Sequence, residues 1–264
     1  MFRKRCNMIN YIKSELYRIS RLKGIYILAV ICCGLLIAMN LVLFFTGNGK
    51  PSFPYDSTDF SFSMVEGSIQ IVFILTLCMA GIIFSDEYKN KTLMNSIAFG
   101  YSRLQLYFGK VIVSLIVAFI TIVTVFGLYI GSTYLLLENT GIDGLMNMLR
   151  CYAVECLILI CGEIAAITLM FVINSVSGAI WMWLGLFMGI PMATALLSMK
   201  FEFFRWLNSW LVYSITGEQI LVEGNSVMIY TAAEGIRRCL LAGGLGTLVF
   251  IVLGVIVLRK REMK

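Results

Sequence analysis

Two acidic residues stand out because they interrupt a long apolar run. Glu155 and Glu163 lie within residues 151–174, a stretch that otherwise reads as a membrane span. A charged side chain at the centre of a bilayer costs about 3 kcal/mol on insertion scales, so such residues are candidates for function. Their spacing of about two helical turns places them near one face of a helix. They predict either a polar lining or a proton or cation relay, or else glutamates that are protonated or hydrogen-bonded and fix helix packing.

The other reactive side chains argue against an enzyme. Histidine is absent from the sequence, which removes the Ser-His-Asp triad and every histidine-based metal site. The eight cysteines include no Cys-x-x-Cys pair and most lie in or beside apolar stretches, as buried small hydrophobic residues do. The sequence also lacks the Gly-x4-Gly-Lys-Ser/Thr loop that binds phosphates. We therefore expect no catalytic residue, no metal or cofactor and no ATP hydrolysis in this chain.

The composition identifies an integral membrane protein. The 264 residues are 59% hydrophobic and 14% charged, whereas soluble domains carry about 25% charged residues. Six apolar stretches are long enough to cross a bilayer, and they lie near 25–46, 67–85, 106–134, 151–174, 178–198 and 238–258. We predict a single all-α transmembrane domain over residues 1–264, with six transmembrane helices.

The distribution of lysine and arginine predicts the orientation in the membrane. With a cytoplasmic N-terminus, fifteen of the 21 basic residues fall in segments on the inner side. Cytoplasmic segments of membrane proteins carry such an excess of positive charge. We therefore expect a multi-pass protein of the cell membrane with both termini in the cytoplasm. Residues 86–105 then lie on the cytoplasmic side as well.

Three segments outside the spans have patterns of their own. Residues 1–23 predict an amphipathic helix on the inner leaflet, whose apolar stripe lies opposite Lys13, Arg18 and Arg21. Residues 46–67 contain two prolines and several turn-forming residues, which predicts an irregular loop. Residues 199–237 predict an extracellular loop with a short helix in the outer headgroup zone, marked by Phe203, Trp206, Leu207 and Trp210.

Glycine spacing in two spans favours close contact between helices. Gly127 with Gly131, and Gly185 with Gly189, each form a Gly-x3-Gly pair, although chance is the alternative in a chain with 23 glycines. Pro191 follows the second pair, lacks a backbone N–H and is expected to kink the fifth span. We therefore expect Gly185, Gly189 and Pro191 to mark a helix-packing face.

Residues 84–110 form a polar segment between the second and third spans. The sequence FSDEYKNKTLMNSIAFGYSRLQLYFGK mixes acidic and basic side chains with the apolar residues Leu93, Met94, Ile97 and Phe99. A connecting loop needs only a few residues, whereas an apolar anchor with a charged rim is typical of a docking surface. The segment therefore predicts a helix that binds a partner on the cytoplasmic side.

The same segment resembles the membrane subunits of type-2 ATP-binding-cassette (ABC) exporters. The pattern begins with an acidic residue, which is Glu87 here, followed by a threonine that leads into an apolar turn, which is Thr92 with Leu93. It continues with a Gly/Pro-x-Ser-Arg corner, matched by Gly100, Ser102 and Arg103, and ends with a lysine at the start of the third span, matched by Lys110. The glycine that usually precedes the threonine is Lys91 here, which is a departure from the pattern. The order of elements along the whole chain also resembles these permeases.

The resemblance implies that residues 86–105 form a coupling helix docked on a cytoplasmic ABC ATPase dimer, which binds ATP and magnesium. The residues that it assigns to coupling are Glu87, Thr92, Leu93, Ile97 and Arg103. It also implies a second permease copy or a sister permease, whose contact we expect on the fifth span. The motif is most similar to bacterial permeases of bacitracin and lantibiotic self-protection, which implies export of an antimicrobial peptide or another amphipathic compound.

Two other functions agree with the same composition. An ion-coupled secondary transporter would use Glu155 and Glu163 to carry protons or sodium, but the chain shows no inverted repeat of the usual kind. A non-transporting membrane partner of a sensor kinase is also compatible with the predicted spans. An ATPase with a phosphate-binding loop, encoded beside this chain or co-purifying with it, would separate an ABC permease from both. The lipid bilayer is a further expected partner. We do not expect the chain to bind nucleic acid.

Overall fold

The computed structural model describes residues 8–47, 55–90, 100–173, 175–216, 218–222 and 225–260. The helices in the first half of the chain are α1 (Met8–Ile19), α2 (Lys23–Gly47), α3 (Thr58–Glu66), α4 (Ile69–Asn90) and α5 (Arg103–Leu136). Those in the second half are α6 (Asp143–Val172), α7 (Val176–Leu184), α8 (Ile190–Ser198), α9 (Glu202–Asn208), α10 (Val212–Ile215) and α11 (Ala233–Lys260).

Among the described residues, five helical paths are long and apolar enough to cross a membrane: α2, α5, α6, α7 continued by α8, and α11. Each covers one predicted span. The span predicted near 67–85 corresponds to α4, which is bent by 55° from α3 across a short break. Counting this bent pair as one span gives six, so the prediction of a helical membrane protein is confirmed with five or six candidate spans.

Two elements at one end of the bundle differ from the predictions. The loop expected over 46–67 is wrong in its second part, because Thr58–Glu66 forms α3. Its Val65 carbonyl oxygen accepts a hydrogen bond from Tyr152 of α6 at 3.2 Å, so tertiary packing overrides the local turn signals. The second is a short antiparallel hairpin that accompanies the helices, in which β1 (Gln219–Val222) pairs with β2 (Asn225–Met228). We call this the hairpin end and the opposite one, where α1 lies, the α1 end.

α6 forms the centre of the bundle. In the most apolar stretch of α6, 72% of the residues are buried, whereas the share in the corresponding stretch of α2 is 6%. α6 is therefore surrounded by protein, and α2 faces outward. Polar side chains connect α6 to its neighbours. Tyr107 of α5 shares a hydrogen bond with Thr168 at 2.9 Å, and Trp183 of α7 donates one to the Gly162 carbonyl oxygen at 3.0 Å. Hydrogen bonds and close packing of this kind drive helix association in lipid.

Glycines on α11 allow it to lie directly against α6. A Cβ atom at Gly243 would lie 2.7 Å from the carbonyl carbon of Leu157, and one at Gly246 would lie 2.6 Å from the sulfur of Cys161. Gly244, one position further along, faces open space. The contact between the two helices therefore requires small residues on one face of α11 only.

The fifth span contains a π-helical turn at Gly185–Gly189, directly before Pro191. Proline lacks the N–H of a regular α-helical turn and its ring crowds the preceding carbonyl, which favours a wider turn. Gly185 and Gly189 are exposed, and a Cβ at Gly185 would meet open space. Gly127 and Gly131 of α5 are exposed in the same way. Their role in helix packing therefore concerns a partner outside this chain and stays a prediction.

Residues 199–237 contain α9, α10 and the β-hairpin. Phe203 and Trp206 on α9 are 63% and 61% exposed, so the predicted aromatic stripe points away from the rest of the bundle. Large exposed aromatics are typical of the membrane headgroup zone. The location of this segment outside the cell stays a prediction.

We expect the contact between α6 and α11 to depend on residue size at one position and not at its neighbour. Gly243→Ala should lower the thermal stability of the purified protein, because the methyl group meets backbone atoms of α6. Overpacking of this kind costs about 1–3 kcal/mol. Gly244→Ala is the matched control and should be no less stable than wild type, since no atom lies within 4 Å of its added Cβ. Thermal unfolding in detergent measures both, and equal losses would contradict the described packing.

Candidate coupling site and buried carboxylates

α1 packs against the beginning of α5 through one face. Tyr11, Glu15 and Ile19 are buried there, whereas Ile9 is 58% exposed. The ring of Tyr11 lies over Gly109 of α5, where a Cβ would come within 2.6 Å of it. A helix is therefore present within the predicted amphipathic segment 1–23, and it is fixed to the bundle rather than held by a lipid surface alone.

A buried ion pair holds α1 in place. The ammonium group of Lys110 on α5 donates to the Glu15 carboxylate, and Lys110 is 1% exposed. Arg18 donates to the same carboxylate at 3.0 Å and to the Ile83 carbonyl oxygen of α4 at 3.4 Å. The Lys110 nitrogen also lies 5.8 Å from the centre of the Phe84 ring. One carboxylate on α1 thus joins α1, α4 and α5.

Arg18 differs from its predicted role. The sequence pattern places it with Lys13 and Arg21 on a face toward lipid headgroups, and Lys13 and Arg21 are indeed exposed. Arg18 is partly buried instead, because it follows Glu15 by one helical turn and reaches its carboxylate. Buried charges are tolerated where they are paired and hydrogen-bonded. Electrostatics therefore turn Arg18 toward the bundle.

The predicted coupling segment, residues 86–105, connects α4 to α5 at the α1 end. Glu87 lies in the last turns of α4, and Arg103 is the first residue of α5. The other assigned coupling residues lie outside the described residues: Thr92, Leu93 and Ile97. The structure thus places the two ends of the segment beside the buried ion pair. The coupling roles of these five residues stay predictions.

The corner that begins α5 has a clear physical basis. Gly100 has φ of +95°, a conformation that residues with a side chain rarely adopt. Ser102 is the N-cap of α5: its hydroxyl accepts a hydrogen bond from the Gln105 N–H at 3.2 Å, and the Gln105 side chain accepts one from the Ser102 N–H at 2.9 Å. The rings of Tyr101 and Tyr11 have their centres 5.3 Å apart. This corner directs the chain into α5 directly against α1.

Glu163 is enclosed between helices of the chain. It is 1% exposed on α6 and accepts a hydrogen bond from the Ser114 hydroxyl of α5. In the part of the chain that the structure describes, no hydrogen-bond donor reaches its second carboxylate oxygen. The side chain therefore joins two neighbouring helices, a geometry that favours the packing role over a relay. Which role it performs stays a prediction.

Glu155 lies in different surroundings, nearer the hairpin end. It is fully buried on α6, and the thiol of Cys151 is directed at its carboxylate with a sulfur–oxygen distance of 3.9 Å. Another buried acid, Glu66 at the end of α3, accepts a hydrogen bond from Tyr230 at 2.6 Å. Burial raises the pKa of the Tyr230 hydroxyl above its ordinary value, and the hydrogen bond to Glu66 raises it further. Tyr152, one turn before Glu155, donates to the carbonyl oxygen of Val65, which precedes Glu66. Both acids therefore lie toward the hairpin end and apart from Glu163.

Three residues of these sites are missing from the sequence-based predictions: Glu15, Ser114 and Glu66. A signal for Glu15 is present, because it lies one turn from both Tyr11 and Ile19 on the apolar face of α1. An acidic residue on such a face requires a buried cation or donor. Ser114 and Glu66 carry no comparable signal, since their partners come from other helices.

The apolar helices, together with residues 86–105 between two of the spans, define a multi-pass helical membrane protein. The family model for ABC-2 family transporter protein matches residues 11–192, which is more than half of the chain. The chain therefore belongs to the ABC-2 transporter family, which supports the role of an ABC transporter permease and, in general, an ABC ATPase partner. The matched region runs from Tyr11 on α1 to the residue after Pro191. No curated protein matches the chain.

We expect the ion pair at the α1 end to act as a unit. Glu15→Leu removes the carboxylate that Lys110 and Arg18 share, and removing one partner of a buried pair costs about 3–5 kcal/mol. The double variant Glu15→Leu with Lys110→Met should recover a large part of that loss, because it removes both buried charges. Lys13→Leu on the exposed face of α1 is the control. Thermal unfolding and membrane abundance measure the series, and a double variant less stable than either single variant argues against a coupled pair.

We expect Glu163→Gln to be nearly silent in transport and in membrane abundance, because the amide oxygen still accepts the hydrogen bond from Ser114. Glu163→Ala should accumulate poorly, since a buried hydroxyl left without its acceptor costs about 1–3 kcal/mol. Ser114→Ala removes the same bond from the other helix. Comparing transport per unit of membrane protein tests this role. Loss of transport by Glu163→Gln at normal abundance would instead identify a proton or cation relay.

Proposed function

We propose that this protein is the membrane subunit of an ABC exporter, driven by ATP hydrolysis on a separate ATPase. Membership of the ABC-2 family supports a permease with an ATPase partner. The observation that carries the proposal is the buried contact of Glu15, Lys110 and Arg18 beside residues 86–105. A simple connection between two spans needs no buried ion pair beside it. In this proposal ATP and magnesium are bound by the partner, and this chain performs no catalysis.

The buried contact supports a direct route from the ATPase to the membrane helices. α4 enters the coupling segment just beyond the Arg18 contact at Ile83, and the segment leaves into α5 beside the packed rings of Tyr11 and Tyr101. α1 therefore contacts α4 just before the segment and Tyr101 near the end of the segment. In this proposal a force on the segment acts on α1, α4 and α5 together.

A second permease, either another copy of this chain or a sister subunit, forms the other half of the transporter in this proposal. The buried α6 fills the centre of the described bundle, so the transport path lies between two permeases rather than inside one. The exposed glycines of α5 and of the fifth span support such a contact, because small residues let helices of two chains approach closely. The excess of basic residues in the inner segments supports cytoplasmic termini, and the similarity to bacterial self-protection permeases supports a bacterial cell membrane.

The substrate and the direction of transport are supported by the motif between Thr92 and Arg103. Its similarity to permeases of bacitracin and lantibiotic self-protection favours export of an antimicrobial peptide or another amphipathic compound. An ion-coupled secondary transporter has less support, because Glu163, one of the two buried acids of α6, accepts a hydrogen bond from Ser114 of the adjacent helix. The described contacts give no specific support to a sensor partner.

We expect the ATPase to bind through the apolar anchor of the coupling segment. Leu93→Asp should reduce co-purification of the ABC ATPase encoded beside this chain at least tenfold, because anchor residues of this kind contribute about 2 kcal/mol or more. Asn95→Asp adds the same charge at a polar position of the segment and is the matched control. Both variants should reach the membrane in wild-type amounts.

Native mass measurement of the wild-type complex provides the second readout. Two permeases and two ATPases per complex are the expected result. Full ATPase binding by Leu93→Asp would refute docking through this anchor, and a complex with one permease would refute the proposed second subunit.

A further inference from the structure

α2 is held to the bundle by specific contacts near its two ends. Near the α1 end, Gly24 lies against α4, where a Cβ would come within 2.9 Å of the Ile82 side chain. Toward the hairpin end, the buried Asn40 donates hydrogen bonds to Ser132 and Thr133 of α5, each at 2.9 Å. Between these contacts Leu28 and Leu36 of α2 pack toward the core, and beside them a cavity of about 230 Å³ lies between α2, α4 and α5.

The wall of this cavity offers hydrocarbon and almost no polar surface. Among the described residues that line it, none carries a charge. Each hydroxyl group in the wall donates a hydrogen bond to a backbone carbonyl oxygen at 2.7–3.2 Å, namely those of Ser68, Thr76, Thr121 and Tyr152. The hydroxyl donors are therefore already used, and a polar ligand would find little to bind.

The cavity opens sideways toward the surrounding lipid. Leu35 of α2 and Ile71 of α4 belong to its wall and are 68% and 60% exposed, so its mouth faces the bilayer in a membrane. Water is a poor occupant because a buried water needs two to four polar partners. An apolar cavity of about 150 Å³ stays dry and binds benzene, and the cavity beside α2 is larger.

We propose that this cavity binds a hydrocarbon chain that enters from the bilayer, either the acyl chain of a phospholipid or the tail of a single-chain amphiphile. A chain without polar atoms restores the van der Waals contacts that the walls otherwise lack. On α2 the contacts of Gly24 and Asn40 lie one turn beyond the two ends of the cavity wall, which favours entry from the side. The inference does not rest on an ATPase partner, and its test does not require transport.

Photolabelling of the full-length protein in liposomes tests the proposal. The probe is a phosphatidylcholine with a diazirine in the middle of one acyl chain, and labelled peptides are mapped by mass spectrometry. Labelling of the wall residues Leu36 and Ile122 is divided by labelling of Leu248 and Val252, which face outward on α11. Ala118→Phe fills the cavity from α5 and should lower this ratio at least fivefold.

Val123→Phe is the matched control, because Val123 lies on the same helix, does not line the cavity and is 54% exposed. It should leave the ratio unchanged. Cys32→Phe fills the same space from α2 and is the second filling variant. Elution volume and labelling of α11 show whether each variant is folded, so Cys32→Phe replaces Ala118→Phe if the latter does not fold. A ratio that neither filling variant lowers would show that only lipid on the outer surface is labelled, and would overturn the proposal.

A second arm distinguishes the source of the chain. A long-chain fatty amine with the same diazirine is added to liposomes of unlabelled phospholipid. If Ala118→Phe lowers the labelling ratio only with the phosphatidylcholine probe, the bound chain belongs to a phospholipid. If it lowers the ratio only with the amine, the bound chain belongs to a single-chain amphiphile. Either result supports the proposed site.

Discussion

The bundle depends on close contact between α6 and the helices around it, because lipid offers little hydrophobic force to hold apolar helices together. Glycines, which have no side chain, allow this close contact. Gly162 of α6 lies against Phe73 of α4, and Gly254 of α11 lies against Tyr107 of α5, in each case where a Cβ would come within 2.7 Å of the ring. Thr168 of α6 adds hydrogen bonds to Tyr107 and to the Phe250 carbonyl oxygen of α11. α6 thus fixes the positions of α4, α5 and α11 at once.

The same low-dielectric surroundings decide where charged groups can lie. A buried carboxylate is costly without donors in reach, and three of the buried acids described here accept hydrogen bonds from another element. Glu15 joins three helices at the α1 end, Glu163 joins α6 to α5 at the centre, and Glu66 joins α3 to Tyr230 at the hairpin end. The contact at the α1 end differs because two cations share one carboxylate. It therefore resists separation at the place where the coupling segment attaches.

Sequence patterns predict the parts of this structure whose cause is local. Apolar runs locate the long spans, and the corner at Gly100 and Ser102 is readable because a left-handed glycine and an N-cap act within one turn. α3 is missed because its stability comes from packing, as in the contact of Phe62 with Tyr129. The cation that Glu15 needs lies 95 residues further along the chain, so spacing within α1 indicates the need and not the partner. The cavity beside α2 is unpredictable for the same reason, since it depends on how three helices are placed.

Burial divides the chain into a closely packed part around α6 and a less buried part at α2. α6 and α11 meet through Gly243 and Gly246 at backbone distance, which leaves no room for one helix to slide past the other. α2 contacts the bundle at Gly24 and Asn40 and through apolar side chains such as Leu36, and an apolar cavity lies beside it. Weakly buried elements shift at lower free-energy cost than a packed core. A displacement that begins at the α1 end would therefore meet close helix contacts around α6, whereas the apolar side chains of α2 that line the cavity have room to repack.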